Sequence, residues 1–389
     1  MTQFNFNVDM DVIKEELIGS NLNATIKSSI ILILNQMMEQ ERDEYLKSSS
    51  YERTGDRVDY RNGYYERDYM LSIGKITLKV PRSRNGKFSP SLFERYQRTD
   101  QALIATMVEM VVQGVSTRKV TQAVVKLCGE NVSKSFVSSL TERLDPFVKE
   151  WSSRSLVGKE YPYIYTDALY IKVREYQKVV SKAVYIAVGV NEDHKREIIG
   201  FHITHDETKA GWESFFESLQ SRGLLSPKLV ISDAHKGLKA AIHEAFTGSS
   251  WQRCTVHFKR NIFSALPKKE TETFRSLVKD IFTRQTQKEA RALYQEIASN
   301  YEGQKKYENA LNKLEEGLED AIQYMSEQKS YHPLLRSTNN LERLNSEVRR
   351  REGVIRIFPN QQSAFRLIGA VLKDYDELRL CKRKYLPET

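Results

Sequence analysis

A short apolar run that ends in an aspartate constrains this chain more than any other stretch. Residues 229–232 read LVIS, the pattern of a short buried strand, and Asp233 follows directly. Apolar residues recur at helical spacing from Leu238 to Ala245, which predicts that a helix begins soon afterwards. A carboxylate therefore lies at the carboxyl end of a strand, which is where open α/β sheets bind ligands. The alternative, that Asp233 only caps the following helix, stays open at this point.

A second aspartate interrupts the apolar face of another predicted strand. Alternate residues from 163 to 173 share one face of that strand, and all of them except Asp167 are apolar or aromatic. A buried carboxylate without a partner costs several kcal/mol. We therefore expect Asp167 to have a partner, which is a base, a cluster of backbone groups or a metal.

The order of the predicted elements indicates how the two aspartates are related. Strand patterns at 163–173, 179–190 and 197–204 precede a helix, the strand before Asp233, another helix and a short strand at 251–254. This is the order of the ribonuclease-H-like fold, in which the first and fourth strands are neighbours in a mixed sheet flanked by helices. We therefore expect an α/β core in which Asp167 and Asp233 lie close together.

The composition indicates which binding partners and which cellular compartment suit this protein. The 60 Lys and Arg residues exceed the 51 Asp and Glu residues and leave a net charge of +9, which favours a polyanion such as nucleic acid. The most apolar early stretch, residues 30–34, is far shorter than the roughly 18 residues of a spanning helix, so we expect no membrane contact. Cys128, Cys254 and Cys381 have no paired spacing, which indicates a reducing compartment and a cytoplasmic location.

At 389 residues the chain is too long for a single core. The patterns divide it into a helical region with a possible dimerisation role, a β-hairpin with a basic loop, a helix-turn-helix, the first part of the core, an all-α insertion, and final core helices with a basic tail. The predicted ranges are 1–60, 61–100, 101–150, 155–255, 256–332 and 333–389.

The predicted helix-turn-helix would supply DNA recognition. Its first helix follows Ser116, its turn spans 128–132, and Ser133 caps a second helix that exposes small polar side chains together with Lys134 and Ser138. Small side chains allow close approach to a major groove. An ordinary helical hairpin in a core has the same pattern, and this alternative stays open.

A third carboxylate lies near the start of a later helix. With Asn339 as its cap, Glu342 would be the third helical residue, where a glutamate can close a capping box, so this structural alternative stays open. Three carboxylates in a basic protein also suit a pair of Mg²⁺ ions, which prefer oxygen ligands and are often shared with substrate phosphates. Two such ions support phosphodiester cleavage or exchange.

Four linked motifs carry a resemblance to a known family. They are DALY from Asp167, SDAHKG around Asp233, RCxxH from Arg253 to His257, and NxxER around Glu342 followed by Arg349-Arg350-Arg351. The chain resembles the Mutator-like transposases of bacterial insertion sequences over nearly its whole length. The resemblance implies a DDE transposase in which Asp167, Asp233 and Glu342 bind two Mg²⁺ ions, with Mn²⁺ as a substitute. It also implies double-stranded DNA substrates, namely terminal inverted repeats and target DNA.

Other residues are assigned to DNA binding or to shaping the active site, and these are His235, Arg253, Cys254, His257, Arg343, Arg349, Lys134 and Ser138. Cys254 and His257 alone do not predict zinc, because a closed zinc site needs four ligands. Apolar stripes at Ile26–Met37 and Leu311–Met325 suggest a homodimer on paired DNA ends, although either stripe can pack within its own chain.

Two other classes of protein share part of this pattern. A ribonuclease-H-like nuclease without transposition would have the carboxylates but need no long DNA-reading region. A helix-turn-helix regulator would have that region but no use for the carboxylates. The sequence contains both features, which favours an enzyme that recognises DNA ends and then cuts and joins them.

Overall fold

The computed structural model describes residues 22–52, 55–71, 74–96, 101–128, 132–267, 269, 271–382 and 384–387. The chain divides into two compact units. The first comprises Met1–Val111 with Val115–Leu140, and the second comprises Val112–Gly114 with Thr141–Thr389.

The first unit begins with a long helix and a β-hairpin. Helix α1 spans Leu22–Leu46, and strands β1 (Arg61–Leu71) and β2 (Gly74–Ser83) pair antiparallel. Ile76 and Leu78 on β2 are buried, whereas Lys75 and Lys79 are exposed. The alternation that predicted a hairpin with a basic outer face is therefore present in the structure.

Helix α1 divides its apolar residues between two directions. Ile30, Leu34 and Met38 pack against the hairpin, whereas Ile26 and Ile33 are each 37% exposed. The hairpin therefore covers only part of the predicted stripe from Ile26 to Met37. The exposed part has no partner among the described residues of this unit.

Three helices follow in the chain, namely α2 (Gln101–Val112), α3 (Thr117–Cys128) and α4 (Lys134–Leu140). The Ser133 hydroxyl accepts a hydrogen bond from the Phe136 N–H at 3.0 Å and caps α4 as predicted. Helix α4 ends sooner than expected, because a 3₁₀ turn takes over at Thr141–Leu144. Residues 129–131 of the predicted turn lie outside the described part of the chain.

The second unit is built on a mixed five-stranded sheet, preceded by helix α5 (Asp145–Ser152). Its strands are β3 (Tyr163–Glu175), β4 (Lys178–Val190), β5 (Arg196–Thr204), β6 (Leu229–Ser232) and β7 (Ser250–Arg253), arranged in the order β5-β4-β3-β6-β7. Strand β3 runs antiparallel to β4 and parallel to β6. The first and fourth strands are thus neighbours, as the element order predicted.

Two helices cover one face of this sheet, namely α6 (Lys209–Ser221) and α7 (Lys236–Ala245). Trp212 of α6 is fully buried and stacks on Tyr185 of β4 with 3.7 Å between ring centroids. Trp151 and Trp251 are also buried, so all three tryptophans serve the core rather than presenting a surface for DNA bases.

A helical block follows β7. It contains α8 (Thr255–Ser264), α9 (Glu272–Ile281), α10 (Gln287–Tyr301), α11 (Lys305–Ala321) and the short α12 (His332–Leu335). Leu314 and Leu318 are buried where α11 packs on α8 and β7, so this second apolar stripe is used within its own chain. The Gln252 side chain fixes the end of the block, donating to the Ala321 carbonyl and accepting from the Tyr324 N–H.

Helices α13 (Asn339–Ile355) and α14 (Gln361–Tyr375) lie on the other face of the sheet. Leu341 and Leu344 of α13 meet Tyr165 and Val188 there. The sequence predicts that Pro333 ends the helical stretch before it. The proline instead lies in the first turn of α12, where a missing N–H costs nothing. Within the described ranges, no helix combines the length and apolar character needed to cross a bilayer.

Candidate active site

The parallel pairing of β3 and β6 brings the two aspartates side by side. Tyr165 on β3 is in register with Ile231 on β6, and each aspartate lies two residues beyond its member of that pair. Both side chains are partly buried. Asp167, within β3, and Asp233, just beyond the carboxyl end of β6, therefore lie close together, as the sequence predicted.

The electrostatic environment of Asp167 reflects its neighbour. Burial and the charge of Asp233 together raise the pKa of Asp167 to about 6, against the opposing effects of hydrogen bonds from the Ala168 N–H and Asn345 and of the charge of His257. Two carboxylates repel each other in a partly desolvated site. The pair thus creates a local excess of negative charge that a cation would relieve.

Asp233 does not cap the helix that follows it. Helix α7 begins at Lys236 with His235 as its N-cap residue and no side-chain cap. Among the described residues, the Asp233 carboxylate accepts a hydrogen bond from the His235 N–H alone, at 3.3 Å, and this N–H lies before the first turn. The capping alternative is therefore wrong, and most of this carboxylate is available for another partner.

Helix α13 approaches Asp167 through an asparagine. The Asn345 amide nitrogen donates to Asp167 Oδ2 at 2.8 Å, and the amide oxygen of Asn345 is buried without a hydrogen-bond partner. Glu342 lies one turn earlier on the same helix and is exposed. The helix that carries the predicted third carboxylate is thus fixed beside the first one.

The capping-box alternative for Glu342 is also wrong. The N-cap residue of α13 is Thr338 rather than Asn339, and no side chain caps the helix. With Thr338 as the N-cap residue, the third helical residue, which closes a capping box, is Leu341, so Glu342 lies one position too late. Glu342 therefore has no capping role.

The residues at this edge fit a hard divalent cation. Two mutually repelling carboxylates and the unpartnered Asn345 oxygen are the oxygen donors that Mg²⁺ prefers. Among the residues that the structure describes, however, no group of three or more His, Cys, Asp or Glu side chains is arranged to hold an ion. The two aspartates are together and the exposed Glu342 is outside the pair, so its role as a ligand stays a prediction.

His235 has a carboxylate neighbour that sequence reasoning missed. Its Nδ1 lies 3.4 Å from Oε1 of Glu207, which follows β5. The same oxygen accepts from the Trp212 indole N–H at 3.3 Å. Burial raises the pKa of Glu207, the charge of Asp233 acts in the same direction, and the charge of His235 opposes it. In the sequence, Glu207 belongs to an ordinary polar stretch before a helix, so no local signal distinguishes it.

Cys254 and His257 lie one turn apart at the start of α8, and each shifts the pKa of the other. Burial raises the pKa of the Cys254 thiol, but hydrogen bonds from His257 and Thr338 outweigh this effect and lower it to about 7. The hydrogen bond to Cys254 in turn raises the pKa of His257, against the effect of burial. Cys254 and His257 therefore lie beside the two aspartates, and the groups that shift their pKa values belong to the protein.

The predicted arginines occupy different environments. The Arg253 guanidinium lies 4.2 Å from the centre of the Phe258 ring, and burial lowers its pKa while the nearby Asp320 and Asp233 raise it. Arg343 and Arg349 are exposed on α13. Arg351, the last arginine of the run that begins at Arg349, has a structural role instead. Arg351 is 6% exposed and donates to the Val112 carbonyl and to Glu347.

Lys134 and Ser138 belong to the first unit, where both are exposed on α4. Val137 and Leu140 of the same helix are buried. The polar face of α4 is therefore presented to the exterior of its unit, as the predicted recognition helix requires.

Comparison with known proteins gives a consistent result. The family model described as "Transposase, Mutator family" matches residues 1–379. The chain is 52% identical over 387 residues to the transposase for insertion sequence element IS256 in transposon Tn4001 of Staphylococcus aureus, with 99% of each chain covered. It is 39% identical over 361 residues to the transposase for ISRM5 of Rhizobium meliloti, covering 93% of this chain and 90% of the relative. Identity to the IS1081 transposase of Mycobacterium tuberculosis is 35% over 351 residues, covering 90% and 84%.

Proposed function

This chain belongs to the Mutator family of transposases and is a DNA transposase, and from that premise we propose that Asp167, Asp233 and Glu342 form the metal-binding site at which it cleaves and joins DNA. The observation that carries the proposal is the register of β3 and β6, which sets the two aspartates side by side at the carboxyl edge of the sheet. The Asn345–Asp167 hydrogen bond, which holds the helix of Glu342 at the same edge, supports it.

The proposed core is ribonuclease-H-like, and the helical block between β7 and α12 is an insertion into it. The strand order β5-β4-β3-β6-β7 supports this assignment, because the antiparallel strands and the parallel strands meet at β3. The interruption of the α/β elements by α8 to α11 supports the insertion. Helices on both faces complete the α/β arrangement.

The proposed reaction has two steps at one site. In the first, a water oxygen attacks the phosphorus at an element end, and the bond to the 3′ oxygen breaks to leave a free 3′-hydroxyl. In the second, that hydroxyl attacks a target phosphodiester, so that one P–O bond forms and another breaks. Asp167, Asp233 and Glu342 would hold two Mg²⁺ ions, for which Mn²⁺ would be a substitute, and such ions would supply activation of the attacking oxygen and stabilisation of the leaving oxygen.

The chain's own groups orient these partners. Asn345 and the Ala168 N–H hold the two oxygens of Asp167, and the His235 N–H holds one oxygen of Asp233. The exposed Arg343 and Arg349 on the helix of Glu342 suit contacts with DNA phosphates. These cations attract the DNA backbone toward the acidic edge, which would otherwise repel it.

Recognition of the terminal inverted repeats is assigned to the first unit. Helices α3 and α4 suit a helix-turn-helix, with Lys134 and Ser138 exposed on its second helix. We further propose a homodimer, because joining requires two DNA ends and each chain supplies one site. A nuclease that does not join DNA and a regulator that does not cut it are less consistent with the full-length relatives, which are all transposases.

Three substitutions test the site. We expect Asp167→Asn, Asp233→Asn and Glu342→Gln each to abolish metal-dependent cleavage and strand transfer, while binding to the element's ends stays largely intact. These variants keep the size of the side chain and remove a charged ligand. The measurements are cleavage of labelled end DNA with Mg²⁺ and an end-binding titration.

Glu352→Gln is the matched control, since this residue lies farther along the helix of Glu342. It should cleave at the rate of the parent protein. Cleavage that persists in one of the three test variants would remove that residue from the site, and loss of end-binding in all three would indicate a structural role.

A further inference from the structure

The RCxxH motif has no role in the proposed chemistry, yet its cysteine lies where the elements of the site converge. Cys254 is fully buried at the junction of β7 and α8. Its backbone N–H donates to the Ser232 carbonyl at 2.7 Å. Ser232 immediately precedes Asp233, so the backbone of Cys254 is fixed to the end of the strand that carries this carboxylate.

The sulfur of Cys254 contacts the other side of the site. Its Sγ accepts the Thr338 N–H, which belongs to the N-cap residue of α13 and is 1% exposed. The next residue adds a second connection, since the Thr255 N–H donates to the Arg336 carbonyl at 2.9 Å. Two consecutive residues therefore hold the segment from which the helix of Glu342 begins.

We propose that Cys254 is a positioning residue that sets the start of α13, and through it Glu342, relative to Asp233. The inference rests on the proposed role of Glu342 and extends it to a residue that touches neither DNA nor metal. No side chain caps α13, and the sulfur is the acceptor for the N–H of its N-cap residue, directly before the first turn. If this acceptor is removed, a buried N–H loses its partner and the helix start must shift.

His257 completes the connection to the other aspartate. It lies one helical turn from Cys254, and its charge lowers the pKa of Asp167. Cys254 is thus connected to the strand that precedes Asp233, and His257 acts on Asp167. Zinc offers no competing explanation among the described residues, because no third or fourth ligand accompanies Cys254 and His257.

The first test compares Cys254→Ala with Cys254→Ser in the full-length protein. Alanine removes the acceptor, whereas serine keeps an acceptor of similar size. We expect Cys254→Ala to lower the rate of cleavage at saturating DNA by about tenfold to a hundredfold, as for a site group displaced by ~1 Å. We expect Cys254→Ser to recover part of that rate. The dissociation constant for end DNA should stay within about twofold in both variants, since the helices that read DNA are elsewhere.

Cys381→Ala is the matched control. This cysteine is also free, and its sulfur lies 3.8 Å from Asp376, away from the two aspartates. It should cleave at the rate of the parent protein. A melting curve is recorded for every variant. A loss of activity in both Cys254 variants that only follows a fall in melting temperature would overturn the positioning role, and so would full activity of Cys254→Ala.

A double-mutant cycle tests whether Cys254 acts through Glu342. Glu342→Asp shortens the side chain and leaves a carboxylate, so that residual cleavage can be measured. If the cysteine positions the glutamate, adding Cys254→Ala to Glu342→Asp should lower the rate much less than it does in the parent protein. Losses that multiply would overturn the inference, and so would one zinc ion per chain that disappears in Cys254→Ala.

The two proposals can fail separately. If Glu342→Gln cleaves at the parent rate, the proposed metal site is wrong whatever the cysteine does. If Glu342→Gln is inactive and Cys254→Ala is fully active, the site stands and only the positioning role is wrong.

Discussion

At the scale of residues, the two aspartates were predictable and their neighbours were not. Asp167 was identified because it interrupts an apolar alternation, and Asp233 because it follows a strand; both signals lie within a few residues. Glu207 and Asn345 matter because of partners that are distant in the sequence, such as Asp167 for Asn345. Local spacing cannot reveal such contacts.

Glu342 shows that a local pattern can also predict a contact that the folded protein does not form. Its spacing from Asn339 matched a capping box, yet Thr338 is the N-cap residue, so the helix begins one residue earlier than this pattern requires. The Thr338 N–H donates to Cys254 Sγ, 84 residues away in the sequence. A contact over that distance cannot be read from the local pattern.

The repulsion between Asp167 and Asp233 leads to a stability prediction for Asp167→Asn. The pKa of Asp167 is raised from 3.8 to about 6, so the folded protein holds a proton between these pH values that the unfolded chain has lost. Stability from this group is therefore greatest at low pH and is lost as the pH rises through 6. Without metal at pH 8, Asp167→Asn should be more stable by up to about 3 kcal/mol.

Thermal melting in EDTA and in Mg²⁺ provides the measurement. Mg²⁺ should raise the melting temperature of the parent protein and have little effect on Asp167→Asn, because the variant has lost a ligand. Asp193→Asn, in the exposed turn after β4, serves as the control and should behave like the parent. A lower melting temperature for Asp167→Asn in EDTA would show that the two carboxylates do not repel each other.

At the scale of elements, periodicity predicted most strands and helices, and their ends were less certain. The hairpin, the five strands of the sheet and α14 follow directly from apolar patterns. Pro333 was misread because proline both ends helices and begins them, and only the following residues distinguish the two cases. Helix α4 ended early because a 3₁₀ turn continues the same spacing of apolar residues.

The exposed face of α4 leads to a prediction about recognition. We expect Lys134→Ala and Ser138→Ala to weaken binding to the element's ends by about tenfold, the effect of one lost base contact. Binding to random DNA should change less, because phosphate contacts elsewhere supply most of it. Competition titrations with end and random DNA at fixed salt measure both quantities.

Lys178→Ala is the control for charge, since this lysine is exposed at the start of β4 in the other unit. It should leave the ratio of end to random binding unchanged. If Lys134→Ala and Ser138→Ala weaken both kinds of DNA equally, α4 contacts the DNA backbone without reading bases, and another element recognises the ends.

At the scale of the whole molecule, the structure narrows the search for a dimer contact. The stripe on α11 is used inside its own chain, whereas Ile26, Leu32 and Ile33 of α1 are exposed. The sequence could not separate these two cases, because both helices show the same kind of apolar periodicity. Which stripe is covered depends on elements that are distant in the sequence.

A mixing experiment tests the proposed dimer. Inactive Asp233→Asn chains are combined with parent chains on paired ends, and joined products are counted. If each product needs two active chains, its yield should fall with the square of the parent fraction. In the control, parent chains are mixed with parent chains that differ only in their affinity tag. The yield of joined products should then stay constant. A yield that falls in simple proportion to the parent fraction would mean that one active chain suffices.

The helical block also has a consequence for how the chain folds. Helices α8 to α11 separate the sheet from α13 along the chain. Tyr165 and Ile231, which pair between β3 and β6, are 66 residues apart, whereas Asn345 of α13 and Asp167 are 178 residues apart. Closing the longer loop costs more conformational entropy. We therefore expect the two aspartates to be in place before the helix of Glu342 docks. Catalytic competence would then be among the last properties that a refolding chain acquires, well after its sheet has formed.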